Sequence, residues 1–122
     1  MEKFSKEGML NREAAVAINR GAVCVLNTDN KIELAKSTST GLLLVAEWDV
    51  AAGDTLACRI IGASAGTSVC TIEKGTLAVG GKLKLADGGK LAVAGASDTA
   101  VAYYLGDAGT TTADTQAEVA FA

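Results

Sequence analysis

The side chains of this chain that could carry chemistry are carboxylates, lysines and thiols, because histidine does not occur in it. Glu47 and Asp49 flank Trp48, Asp54 follows shortly after, and Asp107 and Asp114 hold similar places nearer the C-terminus. Paired carboxylates can do acid–base work or bind Ca²⁺. The ligand spacing of a Ca²⁺ loop is missing, however, and an Asp beside Gly in a bend commonly caps backbone N–H groups with its own side chain. Without imidazole the chain lacks the commonest general base, triad partner and nitrogen ligand for metals. A Ser or Cys nucleophile would need Lys or a carboxylate as its base, and no GxSxG-like elbow on a strand-to-helix turn is expected. Cys24, Cys58 and Cys70 form no CxxC pair and sit in apolar runs, the setting of inert core thiols. The segment Gly62-Ala63-Ser64-Ala65-Gly66-Thr67 is glycine-rich, but no GK[ST] follows, so it is a connection and not a phosphate loop. The expectation is a protein that is not an enzyme and uses no cofactor and no metal.

The elements that would position these groups are short strands. Apolar residues alternate at period two, broken by Gly, Asp, Asn and Thr, and predict strands near 22–26, 31–35, 41–47, 55–61, 68–73, 82–86, 90–93, 100–105 and 116–121. Two hairpins stand out. In KLKLADGGKLAV, Leu83, Leu85, Leu91 and Val93 share one face, and Asp87-Gly88-Gly89 suits a tight turn with positive φ. In AVCVLNTDNKIELA, Thr28-Asp29-Asn30 fills the same role, since Asn and Asp tolerate the left-handed region. At 122 residues with only five aromatics, the core must be built from small and β-branched side chains. In the run GLLLVAEW, Leu42, Leu44, Ala46 and Trp48 fall on one face of a buried strand; the other reading of Trp48 is an interface anchor, where Trp is enriched.

The hairpins also reveal an internal duplication. Gly21 matches Gly81, Val23 matches Leu83 and Val25 matches Leu85. After a one-residue slip Lys31 matches Lys90, Ile32 matches Leu91 and Leu34 matches Val93. Residues 42–46 then align with 101–105, and Asp54-Thr55 with Asp114-Thr115. The fold expected is all-β: a small barrel or sandwich of short antiparallel strands with internal pseudo-two-fold duplication and an N-terminal arm. The arm covers 1–20 and the β domain 21–122, with repeats at about 21–61 and 81–121. The two halves are expected to close into one barrel, each covering the other's unpaired edge. Residues 11–18 fit either a helix, capped by Asn11 and stopped by Gly21, or an extended arm in which Val16 and Ile18 alternate with Ala15 and Ala17.

A net charge of −3 gives no electrostatic reason to seek nucleic acid. No stretch approaches the ~20 apolar residues of a membrane span or a signal-peptide h-region, so synthesis in the cytoplasm and no membrane partner are expected. Three phrases carry a family resemblance: GLLLVAEWDVAAGDTLACRIIG, LAVGGKLKLADGGKLAV and VAYYLGDAGTTTADTQAEVAF. In their order, over about 41–121, the chain resembles the small capsid cement or decoration proteins of tailed bacteriophages, departing from their pattern at Gly106-Asp107. The resemblance implies a structural virion protein on the capsid surface, made in a bacterial host. Its partner would be the major capsid protein, and it would act as a homo-oligomer, a trimer being one possibility. Met1, Glu2, Lys3, Phe4, Met9, Leu10 and Trp48 are the candidate capsid contacts, the first six because apolar residues in a charged arm call for a partner. The alternative is another β-structured virion part such as a head-fibre base or tail-tube protein. A carrier domain displaying Lys31 or Lys90 on a hairpin tip is the remaining reading, against which stand ordinary solvated turn lysines.

Overall fold

A computed structural model describes residues 9–61 and 67–122, and over these the chain is all β with no helix. The first half holds β1 (Met9–Glu13), β2 (Val23–Leu26), β3 (Ile32–Leu34), β4 (Leu44–Ala46) and β5 (Thr55–Ile60). The second holds β6 (Ser68–Ile72), β7 (Thr76–Leu77), β8 (Lys82–Ala86), β9 (Lys90–Val93), β10 (Ala102–Tyr104), β11 (Gly109–Thr110) and β12 (Thr115–Phe121). The predicted hairpin of β8 and β9 is present with those bounds, and Gly88 and Gly89 both have positive φ in its turn. Asn30, at φ 61°, does the same for β2 and β3, its short polar side chain tolerating a conformation that penalises other L-residues.

Each half closes on itself, which corrects the expectation of one barrel shared between halves. β8, β9, β6, β12 and β10 form a closed barrel, antiparallel except for the β6–β9 contact of Ile72 with Leu91. The first half runs β1-β5-β4-β2-β3 and curls until its edge strands meet at a parallel bridge between Ala14 and Ile32. The pairings repeat strand for strand. Cys24 opposite Leu44 corresponds to Leu83 opposite Ala102, and Leu26 opposite Ile32 to Leu85 opposite Leu91. The β7–β11 ribbon, where Leu77 faces Gly109, repeats the bridge of Ile18 with Val50. Closing each half separately satisfies its edges locally, so neither needs the other's strands.

The duplication is therefore real in topology, but its register differs from the sequence alignment. Cys24 and not Val23 stands where Leu83 stands, and Val45 corresponds to Tyr103. The physical cause is that β2 is apolar on both faces. Cys24 and Leu26 face the core of the first barrel, whereas Val23 and Val25 face the second core. β8 is one-sided, with Leu83 and Leu85 inward and Lys84 exposed, so letter-by-letter matching picked the wrong face of β2.

That double-sidedness joins the barrels. Val23, Ala35 and Val45 leave the first barrel and are buried among Cys70, Ile72, Leu91 and Val119 of the second. They enter at the seam where β6 and β9 diverge. Thr71 N–H donates to Gly21 O at 3.0 Å, and Val23 N–H to Gly89 O at 2.8 Å.

Residues 9–20, assigned to an arm from sequence, belong to the body over the whole of their length. β1 pairs with β5 along five residues, and Leu10, Ala14 and Ile18 are buried in the first core. The helix considered over 11–18 does not form there. Leu10 and Arg12 share the inner face of the strand, and extended backbone lets Leu10 reach the core while Asn11 and Glu13 stay outside.

Candidate functional site

β4 ends at Ala46, and the chain then bends outward before the Ile18–Val50 bridge. Asp49 secures that bend by accepting the N–H of Arg20 at 2.6 Å, while Gly21 N–H donates to Ala46 O at 3.0 Å. Because the strand stops there, Trp48 leaves the face shared by Leu44 and Ala46. It is 51% exposed, whereas those two are buried. This overturns the buried-strand reading of Trp48 and leaves an indole standing out from the bend after β4. Leu42, on the same predicted face, is also exposed, because it precedes the first paired residue of β4.

Beside Glu47 a groove of about 260 Å³ runs between the barrels. Its walls include Arg20, Glu47 and Arg59 from the first half and Thr67, Val69 and Glu118 from the second. Arg59 Nε lies 3.3 Å from Glu47 Oε1, and its Nη1 donates to Thr67 O at 2.9 Å. Thr67 Oγ1 in turn donates to Glu118 Oε2 at 2.5 Å. Two arginines and two glutamates line the groove; its ion pair, Arg59 with Glu47, lies within the first half, and the Arg59–Thr67 hydrogen bond reaches across to the second. Sequence reasoning passed over Arg59 and Glu118; the one available signal was a cation interrupting the apolar run LACRII.

The other candidates fall as follows. Met1, Glu2, Lys3 and Phe4 lie outside the described residues. Met9 opens β1 opposite Arg59, close to the groove wall. Leu10 has no exposed surface and lies opposite Cys58, so as a capsid contact it is corrected: its side chain is spent on the core of the first barrel.

The carboxylates are engaged in structural work. Asp87 Oδ1 accepts the N–H of Ser37 at 2.9 Å across the barrel junction, which holds its carboxyl below the usual range, with help from Lys36. Asp98 is lowered by the N–H of Gly95 and then by Lys84. Asp114 is lowered by Lys90, whose Nζ is 2.7 Å away, and by the N–H of Lys74; Lys90 is correspondingly raised. Lys31 pairs with Glu13 at 3.1 Å. Both hairpin lysines are thus tied to neighbouring strands. Among the described residues no three carboxylates or thiols converge into a metal-holding group.

The thiols are buried. Cys24 is raised by its hydrogen bond with Cys58 and by burial, and burial pushes Cys70 up to about 12 against the pull of Arg59. Neither Cys24 nor Cys70 is poised as a thiolate nucleophile at neutral pH. Comparison with protein-family models gives no match, and a search of curated proteins gives no relative.

Proposed function

We propose that this chain is a structural virion protein that binds the outer surface of an assembled tailed-phage capsid and stabilises it, with the major capsid protein as its partner. The observation that carries the reading is Trp48, a half-exposed indole in the bend after β4, next to the residue whose carboxylate ties that bend to Arg20. A large aromatic fixed before binding loses little entropy on docking and is the residue type most enriched among interface anchors. The class of partner is taken from the resemblance of three sequence phrases to those of capsid cement proteins. A clamp that engages the expanded lattice and not its loose precursor stabilises the shell by mass action, through many identical contacts.

The test is co-sedimentation of the purified chain with mature phage heads lacking it. Binding is expected, and Trp48→Ala should weaken it about tenfold or more. The same substitution should leave stability within about 0.5 kcal/mol, as for other surface positions. A wild-type chain that stays in the supernatant refutes the reading.

A further inference from the structure

The two halves repeat each other hydrogen bond for hydrogen bond at one corner. Gly21 N–H donates to Ala46 O at 3.0 Å, and Gly80 N–H to Tyr104 O at 2.6 Å. Ala22 N–H donates to Asn19 O at 3.1 Å, and Gly81 N–H to Ala78 O at 2.8 Å. Ala35 N–H donates to Val23 O at 2.9 Å, and Ala94 N–H to Lys82 O at 3.0 Å. Hence Ala22, Val23, Leu34 and Ala35 of the first barrel correspond to Gly81, Lys82, Val93 and Ala94 of the second, and hairpin residue Asn30 corresponds to Gly89.

Within the chain, the first barrel's corner receives the second barrel's hairpin turn. Gly89 N–H donates to Ala35 O at 2.9 Å, Val23 N–H to Gly89 O at 2.8 Å and Ser37 N–H to Asp87 Oδ1 at 2.9 Å. The same corner of the second barrel is a cavity of about 150 Å³, whose lining includes Gly81, Lys82, Val93 and Ala94, the four counterparts of the residues around Gly89. Its surroundings are apolar and open, with Val79 67% and Val93 44% exposed. The contact is heterologous, so one turn and one corner remain at opposite ends of the molecule: Thr28, Asp29 and Asn30 are all exposed, whereas Gly89 is buried.

We propose that copies of this chain associate head to tail, the turn Thr28-Asp29-Asn30 of one copy seating in the corner cavity of the second barrel of the next. The fit is specific in size. A β-carbon at Gly89 would come within 2.9 Å of Leu34 Cδ2 and of the Val23 backbone oxygen, and within 3.3 Å of Ala22 Cβ. Asn30 brings such a carbon in the same left-handed backbone, and its receiving corner has the shorter Val93 in place of Leu34 and Gly81 in place of Ala22. These two exchanges relieve the side-chain contacts, and the turn clears the backbone oxygen that remains, that of Lys82, by seating slightly further out than Gly89 does. The flank is complementary as well. Val45 and Cys70, members of the same buried cluster inside the chain, have as counterparts the exposed Tyr103 and the half-buried Arg12, whose Nε is buried without a partner. Docking brings a phenol ring and a guanidinium to the same mouth, side chains that attract each other. Heterologous contacts of this kind close into rings or run on as filaments. With Lys82 and Tyr103 replacing Val23 and Val45, the contact between copies is weaker than the one within a copy. The inference concerns the free protein and stands apart from capsid binding.

Sedimentation velocity over about three decades of concentration around 10 µM should show the mass rising with concentration. Asp29→Trp, at an exposed tip, and Val93→Trp, which fills the cavity from within, should each raise the dissociation constant about tenfold or more, with unchanged circular dichroism for the former. Thr28→Cys and Ala96→Cys chains, placed by analogy with the Asp87–Ser37 contact, should form a disulfide when mixed under oxidant, faster than either chain with itself. A monomer at every concentration, a Trp variant at Asp29 that associates as the wild type does, or no preference for the mixed disulfide overturns the proposal.

Discussion

Gly89 and Gly88 are neighbours in one turn with positive φ, yet they carry different loads. A β-carbon at Gly89 would meet the backbone oxygen of Val23 at 2.9 Å, whereas at Gly88 the nearest atom is Lys90 Cε at 3.9 Å. Gly88→Ala therefore costs only the left-handed penalty of about 1–2 kcal/mol. Gly89→Ala adds overpacking at the barrel junction and should reach about 3–4 kcal/mol in urea denaturation. Equal losses would show that the turn does not wedge between the barrels. Asp87 at this junction, and Asp98 and Asp114 within the second barrel, make the fold sensitive to acid. Asp87, Asp98 and Asp114 all have folded pKa values below that of the unfolded chain. Their contribution is complete above the unfolded value, near 3.8, and is lost as pH falls through the lower folded values. The urea midpoint should drop below about pH 4, and Asp87→Asn should make that drop shallower. An unchanged acid slope in the variant removes Asp87 from the account.

At the scale of elements, strands were legible where alternation and turn chemistry agreed. Leu83, Leu85, Leu91 and Val93 alternate with polar or small residues around Asp87-Gly88-Gly89, and every level of reading points to the same hairpin. β1 was illegible because Asn11, Arg12 and Glu13 follow a single buried Leu, and polar residues on an outer sheet face look like an arm. The β7–β11 ribbon has two residues per strand, too few for any period to register. Since Leu10 is fully buried in β1, Leu10→Ala should cost about 2–5 kcal/mol, as for other large-to-small changes in a core. A residue in a free arm would cost nothing, so a thermal melt separates the two descriptions.

For the molecule as a whole, the shared core dictates cooperativity. The second barrel takes Val23, Ala35 and Val45 into its core, and the first would expose them alone. Heat should therefore unfold both barrels in one transition, with calorimetric and van't Hoff enthalpies equal. Two resolved transitions would mean that the junction is weaker than its burial implies. Assembly also belongs to this scale: rings or short oligomers suit an arrayed decoration protein, whereas long polymers formed without heads would favour a tail-tube component.

The amino-acid sequence by itself determined the all-β class, most strand positions and both hairpin turns, because alternation, glycine and asparagine act over a few neighbouring residues. It also revealed that the chain is a duplication. Only the tertiary structure decided that each half closes its own barrel, that Trp48 faces outward while Leu10 faces inward, and that Arg59, Thr67 and Glu118 meet in one groove. Those outcomes depend on which of two apolar faces of β2 meets which core, and a strand apolar on both sides holds no local information to choose between them.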